Sequence, residues 1–291
     1  MTRCFRFLMG SLFAVLASTG VAYAQEEGAE EAAVEGGEVA AEGGEAAAVE
    51  EAVEAEPEAG GGGAYPTDVS QRPLVLPKGM TQANLIIGHL RLKVLDTTAT
   101  ATFLNLGATY GVADKIEAGI SLGMGLDPEV SFTKALGLHA GYLVKDTAKL
   151  DVAAQLTTGL SFEEGADVFS GFKLGGYTRY SLNEKMYVTG GNDLLAITTA
   201  PGMAGNLHIN AGFGYQASPK LNIELGTNLL NLGLFGDTKA PTTSIADAIA
   251  VNLRALFVVS DKIDAGLWLS VPDVANAADL MVITVGGTYR I

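Results

Sequence analysis

Apolar and polar residues alternate along most of the chain from about residue 84 to the C-terminus. After Lys115, for example, Ile116 and the residues two, four and six places later are apolar, and Glu, Gly and Ser stand between them. This period of two is typical of β-strands with one apolar face, and helical periodicity is absent from this part of the chain. The pattern therefore predicts an all-β fold.

A lysine-containing short turn repeats along the alternating region. An aromatic residue precedes each copy, an alternating stretch follows it, and the lysines are Lys115, Lys149, Lys185, Lys220 and Lys262, which are 34, 36, 35 and 42 residues apart. Each interval accommodates one hairpin, so five turns join ten strands; one strand before them (about 84–94) and one after (about 280–291) make about twelve. The longer connections then fall near 95–98, 127–134, 161–167, 198–205, 230–247 and 270–279. This layout predicts a closed antiparallel transmembrane up-and-down barrel.

The polar face of these strands consists mainly of Gly, Ser, Thr and Asn, with few charges. A soluble sandwich usually exposes Lys and Glu on its water-facing side. Small residues suit a crowded, curved and wet barrel interior. The apolar face is accordingly predicted to face lipid.

Six aromatic residues share one position, on the apolar face at the strand end beside a short turn. They are Tyr110, Tyr142, Tyr180, Tyr215, Phe257 and Tyr289. Tyrosine combines an apolar ring with a hydroxyl that prefers water, so such a set indicates an aromatic girdle at a membrane–water boundary.

The N-terminal region has a different composition. Residues 1–24 contain two arginines, an apolar stretch and Ala22-Tyr23-Ala24, which predicts a secretory signal peptide that also carries the chain's one cysteine, Cys4. Residues 25–64 hold 13 of the 33 acidic residues among Ala, Gly and Val, and are predicted to be disordered. Residues 65–83 contain Pro73 and Pro77 and are predicted to be an extended lead-in to a barrel at 84–291.

Together these features resemble those of bacterial outer-membrane β-barrel proteins of the porin-like kind, with about 12 strands. The C-terminal strand LMVITVGGTYRI is similar to the family's assembly signal, in which alternating apolar residues end in an aromatic. The resemblance implies a location in the outer membrane, with both termini and the acidic segment in the periplasm. It also implies two partners: outer-membrane lipid, and the barrel-insertion machinery that reads the C-terminal strand.

Charged residues predicted to point into the barrel are the candidate functional residues. They are Glu117, Asp151, Asp264, Glu224, Arg91, Lys173, Arg179 and Arg254, and the histidines His89, His139 and His208 are predicted inward as well. Glu117, Asp151 and Asp264 each follow a turn lysine by two residues, so they are expected at one height near the short turns. They could form a selectivity ring, or opposite charges could pair into a network that fills or narrows the lumen.

The best-supported function from sequence is a passive channel for small polar solutes that needs no cofactor or metal. A non-conducting structural or adhesion barrel that acts through its surface loops is the alternative. An outer-membrane lipid enzyme is disfavoured because no nucleophile motif accompanies the histidines. The sequence contains no basic patch of the kind that binds nucleic acid.

Overall fold

The computed structural model describes residues 65–94, 97–127, 130–162, 168–199, 203–236, 242–276 and 279–291. The signal peptide predicted for residues 1–24 and the disordered segment predicted for residues 25–64 lie outside the described residues. Among the described residues, no helix has the length and apolar character needed to cross a bilayer.

The described part of the chain forms strands almost throughout. They are β1 (Thr81–Val94), β2 (Thr97–Ala113), β3 (Ile116–Asp127), β4 (Ser131–Lys145), β5 (Leu150–Ser161), β6 (Phe169–Ser181), β7 (Met186–Thr198), β8 (Ala204–Ser218), β9 (Leu221–Phe235), β10 (Thr243–Ser244), β11 (Val251–Val258), β12 (Ile263–Val271) and β13 (Leu280–Arg290). Two single 3-10 turns, Val69–Gln71 and Val274–Asn276, interrupt the connecting segments.

Each long strand pairs antiparallel with its neighbour, and β1 pairs with both β2 and β13. The sheet therefore closes on itself, which confirms the predicted closed antiparallel barrel of twelve wall strands. β10 is an additional two-residue strand that pairs with β9 beside the wall. Part of the loop predicted at 230–247 is thus strand, because β9 continues to Phe235. β1 begins at Thr81, three residues before the predicted start.

The two ends of the barrel differ in their connections. The end that carries the lysine turns and both ends of the wall (Thr81 and Arg290) is called the short-turn end, and the opposite end is called the long-loop end. At the short-turn end the backbone carbonyl of every turn lysine accepts a hydrogen bond from a later strand. The donors are the N–H groups of Leu143, Ser181, Gln216, Val258 and Arg290, each at 2.8 Å. Each donor directly follows one of the girdle residues, so the sequence repeat is also a hydrogen-bonding repeat.

The two faces of the wall have the predicted character. Large apolar side chains such as Leu106, Ile120 and Leu225 are exposed on the outside. Inside, large rings lie against glycines of the adjacent strand: Phe103 against Gly88, His139 against Gly119, and Tyr187 against Gly214. A Cβ at these glycines would overlap the ring, so the small inward residues make room for the large ones.

Candidate functional site

Residues 65–80 lie inside the short-turn end of the barrel, and they are called the plug segment. The sequence predicted an extended lead-in here, but nothing in its pattern indicated where it would lie. The backbone of Val69 donates to the Gln216 side chain on β8, and Ser70 Oγ donates to the carbonyl of Glu184 in the turn between β6 and β7. The segment is thus bound to the barrel wall well before it enters β1.

Arg72 is the central residue of the plug segment. Its Nη1 lies 2.6 Å from Asp264 Oδ2 and its Nη2 lies 3.0 Å from Asp264 Oδ1, which makes a bidentate pair. Arg290 on β13 donates to the same Asp264 carboxylate. The side chains of Arg72 and Arg290 are 7% exposed and that of Asp264 is 1% exposed. Two guanidinium groups therefore share one buried carboxylate, and removal of that carboxylate would leave two buried cations without their common counter-ion.

Tyr65 covers this cluster. Its ring centroid lies 4.6 Å from the guanidinium carbon of Arg290 and 5.3 Å from that of Arg72, which are cation–π distances. Burial raises the pKa of the Tyr65 phenol above its ordinary value, although both arginines act in the opposite direction. The phenol therefore stays neutral at physiological pH.

Arg179 on β6 binds the plug segment from another side. It pairs with Asp151 on β5, with Nη2 2.6 Å from Asp151 Oδ2. Its remaining donors reach the plug backbone, at the carbonyl of Val69 (3.1 Å) and the carbonyl of Arg72. Arg72 is thus held by its carbonyl to β6 and by its side chain to β12, which stand five places apart in the twelve-strand wall. The plug segment therefore crosses the bore.

The second half of the plug segment follows the wall back toward β1. Val75 is buried with Leu143 and Ala153 in an apolar cluster. Glu117 accepts a hydrogen bond from the backbone N–H of Leu76 at 2.8 Å. The carbonyl of Pro77 lies so close to Gly111 that a Cβ there would stand 2.0 Å from it. Gly111 is therefore part of the seat of the plug segment.

These contacts show what the three acidic residues predicted near the short turns bind. Glu117, Asp151 and Asp264 do point inward near the short turns, but each binds the plug segment or an arginine that binds it. They therefore do not form an open ring of acids in this structure. Asp151 and Asp264 are paired with arginines, as in the alternative of a charge network that narrows the lumen, whereas Glu117 binds the backbone of the plug segment.

Further toward the long-loop end, Glu224, Arg254, Trp268 and Thr284 are consecutive partners across β9, β11, β12 and β13 and form the lumen row. Glu224 accepts from Tyr177 Oη and Thr189 Oγ1, each at 3.2 Å. Arg254 Nη1 lies 3.8 Å from Glu224 Oε2, and 38% of the Arg254 side chain is exposed against 16% for Glu224. The guanidinium therefore lies in solvent-accessible space within the barrel. Lys173 also points inward from β6.

Arg91 does not point inward, so its prediction as a lumen residue is wrong, as is that for His89. These residues alternate with the buried Leu90 and lie exposed on the outer face of β1, where His89 Nδ1 is 3.1 Å from Thr102 Oγ1. The physical reason is that β1 has apolar residues on both faces. Ile86 lies inside and Ile87 outside, so alternation alone does not identify the lumen face.

The remaining predicted residues lie on the expected faces. His139 points inward and contacts Thr109 Oγ1 at 3.3 Å, and His208 also points inward. The six girdle residues Tyr110, Tyr142, Tyr180, Tyr215, Phe257 and Tyr289 are on the outer face, 42–54% exposed, beside the short-turn end. Within the described ranges, no three His, Cys, Asp or Glu side chains are grouped closely enough to hold a metal ion.

The sequence did not indicate four residues that complete these contacts: Arg72 and Tyr65 at the Asp264 cluster, and Trp268 and Thr284 in the lumen row. Arg72 and Tyr65 stand in a segment without periodicity, and their partners are far along the chain. Trp268 had a usable signal: it is the one tryptophan of the chain, and it falls on the polar face of its strand. Thr284 had none, because inward threonines are common in this barrel.

No protein-family model matches the chain, and a search of curated proteins finds no match. Among solved structures, the chain is similar to a KdgM porin, with a TM-score of 0.47 and 9% identity over 71% of this chain and 98% of that one. The COG4313 outer membrane channel from Pseudomonas putida F1 gives a TM-score of 0.44 and 16% identity over 75% of this chain and 97% of that one. Outer membrane phospholipase A from Escherichia coli gives a TM-score of 0.42 and 9% identity over 78% of this chain and 97% of that one.

Proposed function

We propose that this protein is an integral outer-membrane β-barrel that acts as a passive channel for small polar solutes, with its short-turn mouth closed by the plug segment. The proposal involves no catalytic step and no cofactor. The C-terminal strand would be read by the barrel-insertion machinery, and the apolar outer face would contact outer-membrane lipid. The short turns, the plug segment and both termini would then be periplasmic.

The accessibility of Arg254 is the observation that carries this proposal. Its side chain points inward yet is 38% exposed, whereas the plug-binding arginines Arg72 and Arg290 are 7% exposed. The lumen is therefore hollow at the height of Arg254 and filled at the plug segment. An inner face of Gly, Ser, Thr and Asn around a hollow suits water and polar solutes.

The test is planar-bilayer recording of the full mature protein and of Arg72→Gln. The wild type is expected to conduct in small or infrequent steps. Arg72→Gln removes the bidentate pair with Asp264, and each hydrogen bond to a charged group contributes about 1.5–3 kcal/mol. Asp264 keeps Arg290, so the wall stays paired while the plug segment loses its side-chain tie to β12 and is held less tightly. Larger or longer openings are expected.

Two controls make this experiment specific. Lys78→Gln removes a cation from an exposed position of the same segment and is expected to record like the wild type. Ser70 and Glu184 lie within hydrogen-bonding reach, so cysteines at these positions in the Arg72→Gln background are expected to form a disulfide that ties the segment down. Oxidation should restore the small conductance and reduction should release it. The predicted mature chain has no other cysteine.

The alternative function is a non-conducting structural or adhesion barrel that acts through its surface loops. The network of buried ion pairs around the plug segment favours it, because such a network suits a permanent closure. If folded wild type and folded Arg72→Gln are both silent, the channel proposal fails and this alternative remains. If both conduct equally, the channel stands and the plug segment is not what limits it.

A further inference from the structure

We infer that the lumen row is a binding site for small organic anions that carry hydroxyl groups. The site is built around the guanidinium of Arg254 and the indole of Trp268. This inference rests on the proposed function only for the route by which a solute reaches the site. The contacts that support it are independent of whether the barrel conducts.

The first observation is that Arg254 has unused hydrogen-bonding capacity. Its ion pair with Glu224 is long, at 3.8 Å, and Glu224 is already bound by the hydroxyls of Tyr177 and Thr189. Arg254 Nε is buried and makes no hydrogen bond within the described residues. An arginine that is loosely paired and accessible from the lumen can present its planar donors to a carboxylate or phosphate.

The second observation concerns Trp268, which forms one wall of the site. Its ring packs on Gly266 and Gly286, where an added Cβ would approach ring atoms to 2.4 and 3.2 Å. The guanidinium carbon of Arg254 lies 6.0 Å from the ring centroid, at the outer limit of a cation–π contact. The indole is therefore fixed against the barrel wall beside the cation. A rigid aromatic surface next to a charge can bind the apolar side of a polyhydroxy solute.

The third observation is an unpaired hydroxyl beside the indole. Thr284 is the strand partner of Trp268 on β13, is 4% exposed, and its Oγ1 makes no hydrogen bond within the described part of the chain. A buried hydroxyl without a partner is unfavourable, so a solute or water that reaches it gains a hydrogen bond. Unused polar atoms thus flank Trp268 on both neighbouring strands.

The height of the row places it directly above the plug segment. Trp268 follows Asp264 by four residues on β12, which is about 10 Å along the barrel axis for a strand rise of about 3.3 Å and a tilt of about 40°. A solute that enters from the long-loop end therefore meets the lumen row before it meets the plug segment. The site is positioned to hold a solute while the mouth below it is closed.

The experiment uses the fluorescence of Trp268, because the chain contains no other tryptophan. Folded protein in detergent micelles is titrated with gluconate at constant ionic strength, with sorbitol as the uncharged six-carbon control and inorganic phosphate as a third probe. Gluconate is expected to change the emission with saturation. Sorbitol should act only at concentrations at least about tenfold higher. An effect of phosphate equal to that of gluconate would show that the charge alone is recognised and would overturn the requirement for hydroxyl groups.

The variants identify the residue responsible. Arg254→Gln should lower the apparent affinity for gluconate at least about tenfold. Arg254→Lys keeps the charge but loses the planar donors, so its affinity should lie between those of the wild type and Arg254→Gln. Arg91→Gln is the matched control, since it removes an arginine from the outer face, and it should titrate like the wild type. Should Arg254→Gln fail to fold, the Arg254→Lys comparison still decides the question.

The outcomes separate this site from the channel proposal. Equal responses to gluconate and sorbitol, or unchanged titrations in both Arg254 variants, would overturn the inference even if the protein conducts. A saturable gluconate response in a protein that is silent in bilayers would leave the site in place and overturn the channel.

Discussion

At the residue scale, Asp264 is the position at which a substitution is expected to disturb the buried charges of the plug segment most. Its carboxylate is buried and binds both Arg72 and Arg290, which come from opposite ends of the described chain. Burial of a charge is costly unless it is paired, and here one anion serves two cations. The loss of this one carboxylate is therefore more damaging than the loss of either arginine.

Asp264→Asn tests this asymmetry. The substitution leaves Arg72 and Arg290 buried without their common anion, so the free energy of unfolding is expected to fall by about 3–5 kcal/mol. The measurement is denaturant unfolding in detergent micelles, followed by heat-dependent gel migration and circular dichroism. Asp114→Asn, at an exposed turn, is the control and should change stability by less than about 0.5 kcal/mol. A similar small change in Asp264→Asn would show that the cluster contributes no net stability.

At the scale of the elements, β2 leaves room for the plug segment because it has a glycine, Gly111, where the two are in contact. Gly111 lies under the carbonyls of Leu76 and Pro77, and its own carbonyl accepts the N–H of Gly79 at 2.8 Å. Gly107 lies four residues earlier on the same inward face, where an added Cβ meets only ordinary contacts of 3.6 Å or more. The two glycines form a matched pair for experiment.

Gly111→Ala is expected to displace the second half of the plug segment while it leaves every ion pair chemically intact. The amide protons of Leu76 and Gly79 should then exchange with solvent at least about tenfold faster, because both lose their acceptors. Hydrogen exchange read by mass spectrometry or NMR provides the measurement. Gly107→Ala should keep the wild-type rates, and equal protection in both variants would contradict the assigned seat.

The elements also show where sequence reasoning succeeds and where it stops. The turn lysines and girdle residues predicted the strand count because their spacing follows the hydrogen-bonding repeat at the short-turn end. The face of β1 was not determined, since Ile86 and Ile87 are both apolar. The plug segment could not be located, because Arg72 binds a residue 192 positions away and no local pattern encodes such a contact.

At the scale of the whole molecule, the barrel is apolar outside and polar inside, the reverse of a soluble protein. Outer residues such as Leu225, Leu267 and Val285 are 48–51% exposed in the isolated chain. An apolar surface of this kind in a closed wall requires lipid or detergent around it. The inner face could be predicted as a whole, but the partner of each inward charge could not, because pairing depends on the closed three-dimensional wall.

Leu225→Arg tests the orientation of this surface. A cation at the lipid-facing midplane of a barrel costs about 2–4 kcal/mol, so reconstitution into lipid vesicles and stability there should fall by that amount. Val259→Arg, an equally exposed position in a short turn, should be tolerated because that site faces water or headgroups. Recovery of both variants with equal stability from vesicles would show that Leu225 does not face lipid.

The seat of Arg72 and Tyr65 is made from the other end of the chain, since Asp264 lies on β12 and Arg290 on β13, the strand that closes the wall against β1. Synthesis begins at the N-terminus, so the plug segment is made first, yet its seat is completed last. The mouth can be sealed only after the final strand has docked. A chain that stops short of β13 lacks Arg290 and leaves its own entrance incompletely sealed. The fully bound plug segment is therefore a sign that the last strand has been added to the barrel.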